Sequence, residues 1–322
     1  MIQRKSFREL FGIKDAPETM TVKVLSDTNN PFIPKTDSMY VFRKEFLRDV
    51  YAFLMSPGND ALYITGPTGA GKTSGIAQVA ARLNWPVQQI TAHGRMEFAD
   101  LVGFHALVSK TPGAAPVMQF MYGPLATAMR NGHILLINEV DLMDPSELAG
   151  LNDILEGRPL VIAQNGGEII QPHPLFRVVV TGNSVGSGDA TGLYQGVQMQ
   201  NIAAMDRYRF VEVSYTDPEV EHKILSLACP RLNDQLTSSM VKVANKIRYL
   251  FMGNGTDAHD QTINITMSTR TLVRWAKLAV SFYPAPNALA IGLDQALLVR
   301  ANSEERAAIN RIAQDVFGDL WK

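Results

Sequence analysis

Between residues 61 and 215, short apolar runs alternate with stretches of helical apolar spacing. ALYIT (61–65), VQQIT (87–91), HILLINEV (133–140), FRVVVTGN (176–183) and RFVEVSY (209–215) read as strands. SGIAQVAARLN (74–84) puts Ile76, Val79, Ala80 and Leu83 on one helical face. This alternation predicts an α/β fold with a sheet and crossover helices. Two stretches break the plan. FHALVSKTPGAAPVMQFMYG (104–123) predicts a hairpin around a Pro/Gly turn, and PLVIAQNGGEIIQPHP (159–174) a second one turning at Asn165-Gly166-Gly167. Residues 40–56 read as a helix. After Tyr215 the helical period takes over, in PEVEHKILSLA (218–228), LTSSMVKVANKIRYLFM (236–252), STRTLVRWAKLAVSF (268–282) and much of 287–317. The expected organisation is an N-terminal arm at 1–36, an α/β core at 37–215 and an all-helical domain at 216–322.

Composition narrows the class. Of 322 residues, 46% are apolar and 19% charged, enough for a sizeable core. A formal net charge of −1 argues against a strong nonspecific grip on nucleic acid, although a local basic patch stays possible. Cys229 is the one cysteine, so no intrachain disulfide forms and a cytoplasmic setting is expected. No apolar run approaches the length of a membrane span. MIQRKSFREL has no apolar core behind its charges and is not read as a secretory signal. The six histidines show no metal-ligand spacing, and His173 between two prolines reads as structural.

The sharpest motif follows the first apolar run. Gly66-Pro67-Thr68-Gly69-Ala70-Gly71-Lys72-Thr73 fits the phosphate-binding pattern G-x-x-x-x-G-K-[ST], with Ser74 next in the helix. Its glycines let the backbone curl until several N–H groups face one anion. Lys72 supplies a point charge for β- and γ-phosphates, and Thr73 a hydroxyl for Mg²⁺. The helix start adds its positive dipole end. The expected ligand is a nucleoside triphosphate, ATP, with Mg²⁺.

Two more apolar runs end in polar residues. ILLINEVD (134–141) carries Glu139 where phosphate-loop ATPases keep the acid that polarises the attacking water. The strand bearing that acid is expected beside the loop. Position 138 is Asn, where an Asp usually holds Mg²⁺ through water. Its amide can accept from Mg²⁺-bound water but brings no negative charge, so slow hydrolysis is expected. Asp141 is a candidate to replace part of that charge. Asp144-Pro145-Ser146-Glu147 reads as a helix start, with Asp as cap, Pro first and Glu reaching back. FRVVVTGN ends in Asn183, whose amide can hold the attacking water.

Together these pieces resemble the MoxR group of AAA+ ATPases, and within it the CobS subunits of aerobic cobaltochelatase. The resemblance spans roughly residues 10–318. It is carried by FGI (11–13), GPTGAGKT (66–73), QVAARLNWP (78–86), DLVG (100–103), QPHPLFRVVVTGNSVGSGDATGLYQG (171–196), AAMDRYRF (203–210), MSTRTLVRWA (267–276) and FG (317–318). The segment 171–210, with its Gly-Leu-Tyr and Met-Asp-Arg, is more specific than the loop. One departure matters: Asn138 stands where the family normally has Asp.

The resemblance implies an AAA+ P-loop core with a parallel sheet and inserted hairpins, followed by a C-terminal helical lid. It implies Asn183 as first sensor, Arg207 as the arginine finger given to a neighbouring subunit, and Arg270 as second sensor. Arg209 and Arg274 are rivals by spacing. It also implies a ring, hexameric in expectation, that hydrolyses ATP to act on a partner. That partner is a von Willebrand A-type domain protein or a larger client, met through the inserted hairpins. The alternatives are an ATPase subunit of a cobalt chelatase, an ATP-dependent scaffold that scarcely hydrolyses, and a nucleic-acid remodeller.

Overall fold

The computed structural model describes residues 2–109, 111, 115–188, 196–253 and 263–321. The chain begins with β1 (Ile2–Ser6), α1 (Phe7–Phe11), β2 (Thr21–Leu25), α2 (Lys44–Met55), β3 (Ala61–Thr65), α3 (Lys72–Leu83) and β4 (Val87–Thr91). It continues through α4 (Phe98–Val102), β5 (Gly103–Val108), β6 (Val117–Tyr122), α5 (Pro124–Asn131) and β7 (Ile134–Asn138). Then come α6 (Pro145–Leu148), α7 (Asn152–Leu155), β8 (Leu160–Ile162), β9 (Glu168–Ile170), β10 (Arg177–Gly182), α8 (Ile202–Met205) and β11 (Tyr208–Glu212). Helices α9 (Pro218–Ala228), α10 (Asp234–Phe251), α11 (Thr269–Ser281), α12 (Ala288–Ala296) and α13 (Ser303–Phe317) complete it. Two compact units result. The first is Met1–Asp37, Phe42–Gly66 and Lys72–Val213; the second is Ser38–Val41, Pro67–Gly71 and Ser214–Lys322.

The first unit is built on a five-stranded sheet in the order β11-β3-β10-β7-β4, with every neighbouring pair parallel. Every residue of β3 and β7 is buried, which is why both runs are almost wholly apolar. Leu135, Ile137, Val178 and Val180 from the sheet pack with Leu125 and Met129 of α5. Gly75 lies inside α3, where glycine usually costs about 1 kcal/mol relative to alanine. Here a Cβ would fall 2.4 Å from the Phe46 ring of α2, so the missing side chain lets α2 and α3 approach. α5 has Pro124 in its first turn and stops at Gly132, which takes a left-handed φ of 74°. His173 Nδ1 lies against Gly132 and accepts a hydrogen bond from Leu175 N, a structural use of that ring.

Both inserted hairpins form, β5–β6 and β8–β9, each antiparallel. Glu168 of β9 joins them. It accepts from Tyr122 Oη at 2.7 Å and Asn165 Nδ2 at 2.6 Å, and it pairs with Arg130 of α5. The alternating run TVKVL forms β2 with Val22 and Val24 buried, and pairs with β1. The Pro112-Gly113 turn and the Gly192-Leu193-Tyr194 triplet lie outside the described residues.

The second unit is helical, as its 3.6-residue period predicts. Asn233, Ser268 and Asn302 cap α10, α11 and α13 through their side chains. Met240 and Ile247, Leu272 and Trp275, Leu293, and Ile309 and Ala313 form its core. Inside it Arg248 grips Glu221 bidentately at 2.7 and 2.8 Å. Thr269 Oγ1 donates to the same carboxylate at 2.6 Å, and Arg248 Nε donates to Met267 O at 2.6 Å.

Five local expectations need correction. Strand β7 ends at Asn138 rather than Val140, because Glu139 leaves it in a left-handed conformation. β10 stops at Gly182, one residue before Asn183, and β11 runs over 208–212 rather than 209–215. The acid-bearing β7 is not beside β3, since β10 lies between them. Glu147 does not reach back to the start of α6: its Oε2 accepts from Phe98 N at 2.7 Å, while Asp144 does cap that helix.

Candidate functional site

Parallel strands bring their carboxyl ends to one edge, and in this sheet order β3, β10 and β7 are consecutive there. Gly66 follows β3 with φ 141°, and a Cβ on it would sit 1.9 Å from Val213 O. Gly69 has φ 73°, and its Cβ would fall 2.1 Å from Ser268 Cβ. Gly71 has φ 87°. Successive left-handed glycines curl the chain into a concavity of N–H groups, and α3 begins directly after it, at Lys72. Ala70 is buried in this curl, Thr68 and Ser74 are exposed, and Pro67 is half-buried.

Lys72 Nζ donates to Gly66 O at 2.5 Å and to Asn183 Oδ1 at 2.9 Å. Both acceptors are neutral. Burial lowers the pKa of this ammonium to about 8, against the opposing pull of the Asp141 and Glu139 carboxylates. Thr73 Oγ1 donates to Asn138 Oδ1 at 2.7 Å. Thr181 bridges the two residues at the end of β7: its hydroxyl donates to Asn138 Oδ1 at 3.4 Å and accepts from Glu139 N at 3.3 Å. Glu139 holds φ 53° and ψ 42°, uncommon for a residue with a side chain, and is exposed.

This donor set fits a magnesium–triphosphate complex. The left-handed backbone at Gly66, Gly69 and Gly71 suits a curl of N–H groups around phosphate oxygens, and the Lys72 ammonium at the start of α3 adds a positive charge beside it. Thr73 Oγ1 and Asn138 Oδ1 offer two neutral oxygens to a hydrated Mg²⁺. Mg²⁺ commonly takes much of its shell from water and phosphate. Asp141 does not join them. It is fully buried, and its Oδ2 accepts from Asn183 N at 2.7 Å and Ser184 N at 3.1 Å.

Thus Lys72, Thr73, Asn138, Glu139 and Asn183 come together. Arg207 is apart from that group. Its Nε and Nη2 bond Glu156 Oε1 at 3.0 and 2.5 Å, and its Nη1 bonds Ala203 O at 2.6 Å. Arg209 is engaged with Asp60 and Pro57 O. Arg270 belongs to the second unit, exposed in the first turn of α11, with no hydrogen bond or ion pair among the described residues. Sequence reading overlooked Thr181 and Glu156. Thr181 carries a signal, a polar residue facing the polar end of the neighbouring strand; Glu156 carries none.

A parallel sheet in this order, with a phosphate loop after β3 and polar residues closing β7 and β10, defines an AAA+ P-loop nucleotide-binding core. The family described as AAA domain (dynein-related subfamily) matches residues 61–195, and CbbQ/NirQ/NorQ C-terminal matches residues 221–316. The chain is 31% identical over 318 residues to the aerobic cobaltochelatase subunit CobS of Sinorhizobium sp, covering 97% of this chain and 90% of that protein. It is 24% identical over 306 residues to the uncharacterized protein YojN of Bacillus subtilis (strain 168), covering 94% of each. Among solved structures, the RuvB Holliday junction branch migration motor of Thermotoga maritima aligns at 14% identity with a TM-score of 0.46, over 87% of this chain and 72% of that one. The chain belongs to the AAA+ ATPases of the CobS/MoxR type.

Among the described residues, no helix is long and apolar enough to cross a membrane.

Proposed function

We propose that this protein binds and hydrolyses Mg-ATP in a ring assembly and uses the cycle to remodel or activate a partner protein. One observation carries the reading: Lys72 meets Asn183, and Thr73 meets Asn138, at the carboxyl ends of adjacent parallel strands. Gly66–Ser74 and Lys72 would hold the triphosphate. Thr73 and Asn138 would hold Mg²⁺ through water, and the ion would spread the phosphate charge. Glu139 would polarise the attacking water and Asn183 orient it. Arg207 would serve a neighbouring copy, and Arg270 would be the second sensor. A planar guanidinium suits both arginine roles because it bonds phosphoryl oxygens bidentately.

The inserted hairpins support the partner half of the reading. Phe104, Leu107 and Met118 are 64%, 67% and 65% exposed, and the cross-strand pair Val161–Ile169 is also exposed. Apolar side chains grouped on a surface mark a protein contact more often than chance. The partner would be a protein, with a von Willebrand A-type domain protein as the expected class. A cobalt-chelatase role rests on the CobS relative alone. A scaffold with little turnover is favoured by one observation, the neutral Thr73–Asn138 pair where a charge is usual.

A pull-down with a Glu139→Gln variant held in ATP tests the reading. A partner retained with ATP and released with ADP supports it. Equal recovery in both nucleotides removes the remodelling half.

A further inference from the structure

Asp141 lies two residues beyond Glu139, in the 3-10 turn Val140–Leu142 that follows β7. It is fully buried, and its carboxylate is used one-sidedly. Oδ2 receives the backbone N–H groups of Asn183 and Ser184, while Oδ1 has no hydrogen-bond partner among the described residues. The same residue's carbonyl accepts from Gln198 N at 2.7 Å. Ser184 is held from the other side as well, since Thr65 Oγ1 at the end of β3 donates to Ser184 O at 3.2 Å. Tyr63 closes the floor: its Oη would lie 2.2 Å from a Cβ at Gly182, the residue before Asn183.

A buried carboxylate with one orphaned oxygen is costly for a fold. An apolar residue would avoid that cost but leave the Asn183 and Ser184 N–H groups without this acceptor, so the charge has a reason. The reason is visible in what it grips. Asn183 has already left β10, and nothing in the sheet ladder fixes its backbone. Charge-assisted bonds from consecutive N–H groups to one oxygen fix that turn more firmly than neutral bonds do.

Resting on the ATPase reading above, we infer that Asp141 is the positioning residue of Asn183: its carboxylate clamps the Asn183–Ser184 backbone so that the Asn183 amide faces Lys72 and the γ-phosphate end of the site. Asp141 touches no reacting atom. This assigns Asp141 a different task from supplying charge to Mg²⁺.

The test compares wild type, Asp141→Asn, Asn183→Ala and the double variant as full chains. Mg-ATP affinity is read by displacement of a fluorescent ATP analogue, and steady-state turnover by phosphate release. Asp141→Asn keeps the shape and removes the charge. It is expected to bind Mg-ATP within about threefold of wild type and to lose about tenfold or more in kcat. The double variant is expected to be no slower than Asn183→Ala, because Asp141 acts through that side chain. A merely structural Asp141 would lower affinity and kcat together, and its effect would multiply with that of Asn183→Ala; either result overturns the inference. So does unchanged kcat in Asp141→Asn while wild type turns over. A wild type that neither binds nor hydrolyses ATP removes the ATPase reading itself, and the inference with it.

Discussion

Lys72 Nζ and Asn183 Oδ1 are hydrogen-bonded at 2.9 Å although 111 residues separate them in the chain. They meet because β3 and β10 are parallel neighbours in a register that pairs Thr65 with Gly182. One residue past each strand end, the phosphate loop and the Asn183 turn face each other. The bond leaves the Lys72 charge beside a neutral amide, and burial lowers its pKa to about 8.

A pH dependence follows. Phosphates favour the charged ammonium, so above pH 8 ATP binding must also take up a proton. Mg-ATP affinity should be flat from pH 7 to 8, then fall by about tenfold per unit as pH rises further. Lys72→Arg keeps its charge throughout and should bind with no such limb. Isothermal titration at pH 7, 8, 9 and 9.5 checks both. An equal limb in Lys72→Arg would assign the loss to another group.

Position 138 is the second test. Thr73 Oγ1 bonds Asn138 Oδ1 where a carboxylate would add a full charge. Asn138→Asp should tighten the Mg²⁺ requirement of turnover, and kcat should rise. Magnesium titrations of phosphate release read this directly; an unchanged Mg²⁺ midpoint would remove Asn138 from the Mg²⁺ site.

The second unit offers a stability test. Arg248 is 1% exposed and Glu221 wholly buried, so removing the guanidinium strands a buried charge. Arg248→Met should cost about 3–5 kcal/mol in urea unfolding, and Arg248→Met with Glu221→Leu should recover most of it. A double variant no better than the single would mean that the bonds to Met267 O and Thr269, rather than the charge, set the cost.

Much of this was legible in the sequence, for physical reasons. β3 and β4 lie at the residues predicted for them; β3, buried throughout, leaves an unbroken apolar run, whereas the edge strand β4 carries Gln88 and Gln89. The loop glycines were legible because their positive φ values exclude most other residues. Strand ends were less so. Glu139 leaves β7 through a left-handed backbone that no local preference demands, and the Thr181 bridge depends on which strand stands next to β7. Neighbours in a sheet come from topology, which is why β10 between β3 and β7 was not foreseen. The partners of Asp141 were hidden for the same reason: they are backbone N–H groups brought up by β10.

The trans role proposed for Arg207 predicts complementation. Its guanidinium bonds Glu156 and Ala203 O, outside the Lys72 group. Arg207→Ala should bind ATP normally yet lose turnover by a large factor, since arginine fingers contribute about 10³–10⁵ in rate. Lys72→Ala should be inactive as well. Mixed together, the two variants should regain part of the activity. A mixture that stays inactive while native mass spectrometry shows mixed assemblies removes the trans role.

Most direct is single-turnover hydrolysis of Mg-ATP by wild type and Glu139→Gln, with affinity measured on the same samples. The central claim is that ATP is bound by the loop at Lys72 and hydrolysed by water polarised at Glu139. It predicts slow but measurable turnover in wild type, and equal affinity with turnover lowered about tenfold or more in Glu139→Gln. Turnover unchanged by that substitution, or wild type that binds no ATP, would contradict it.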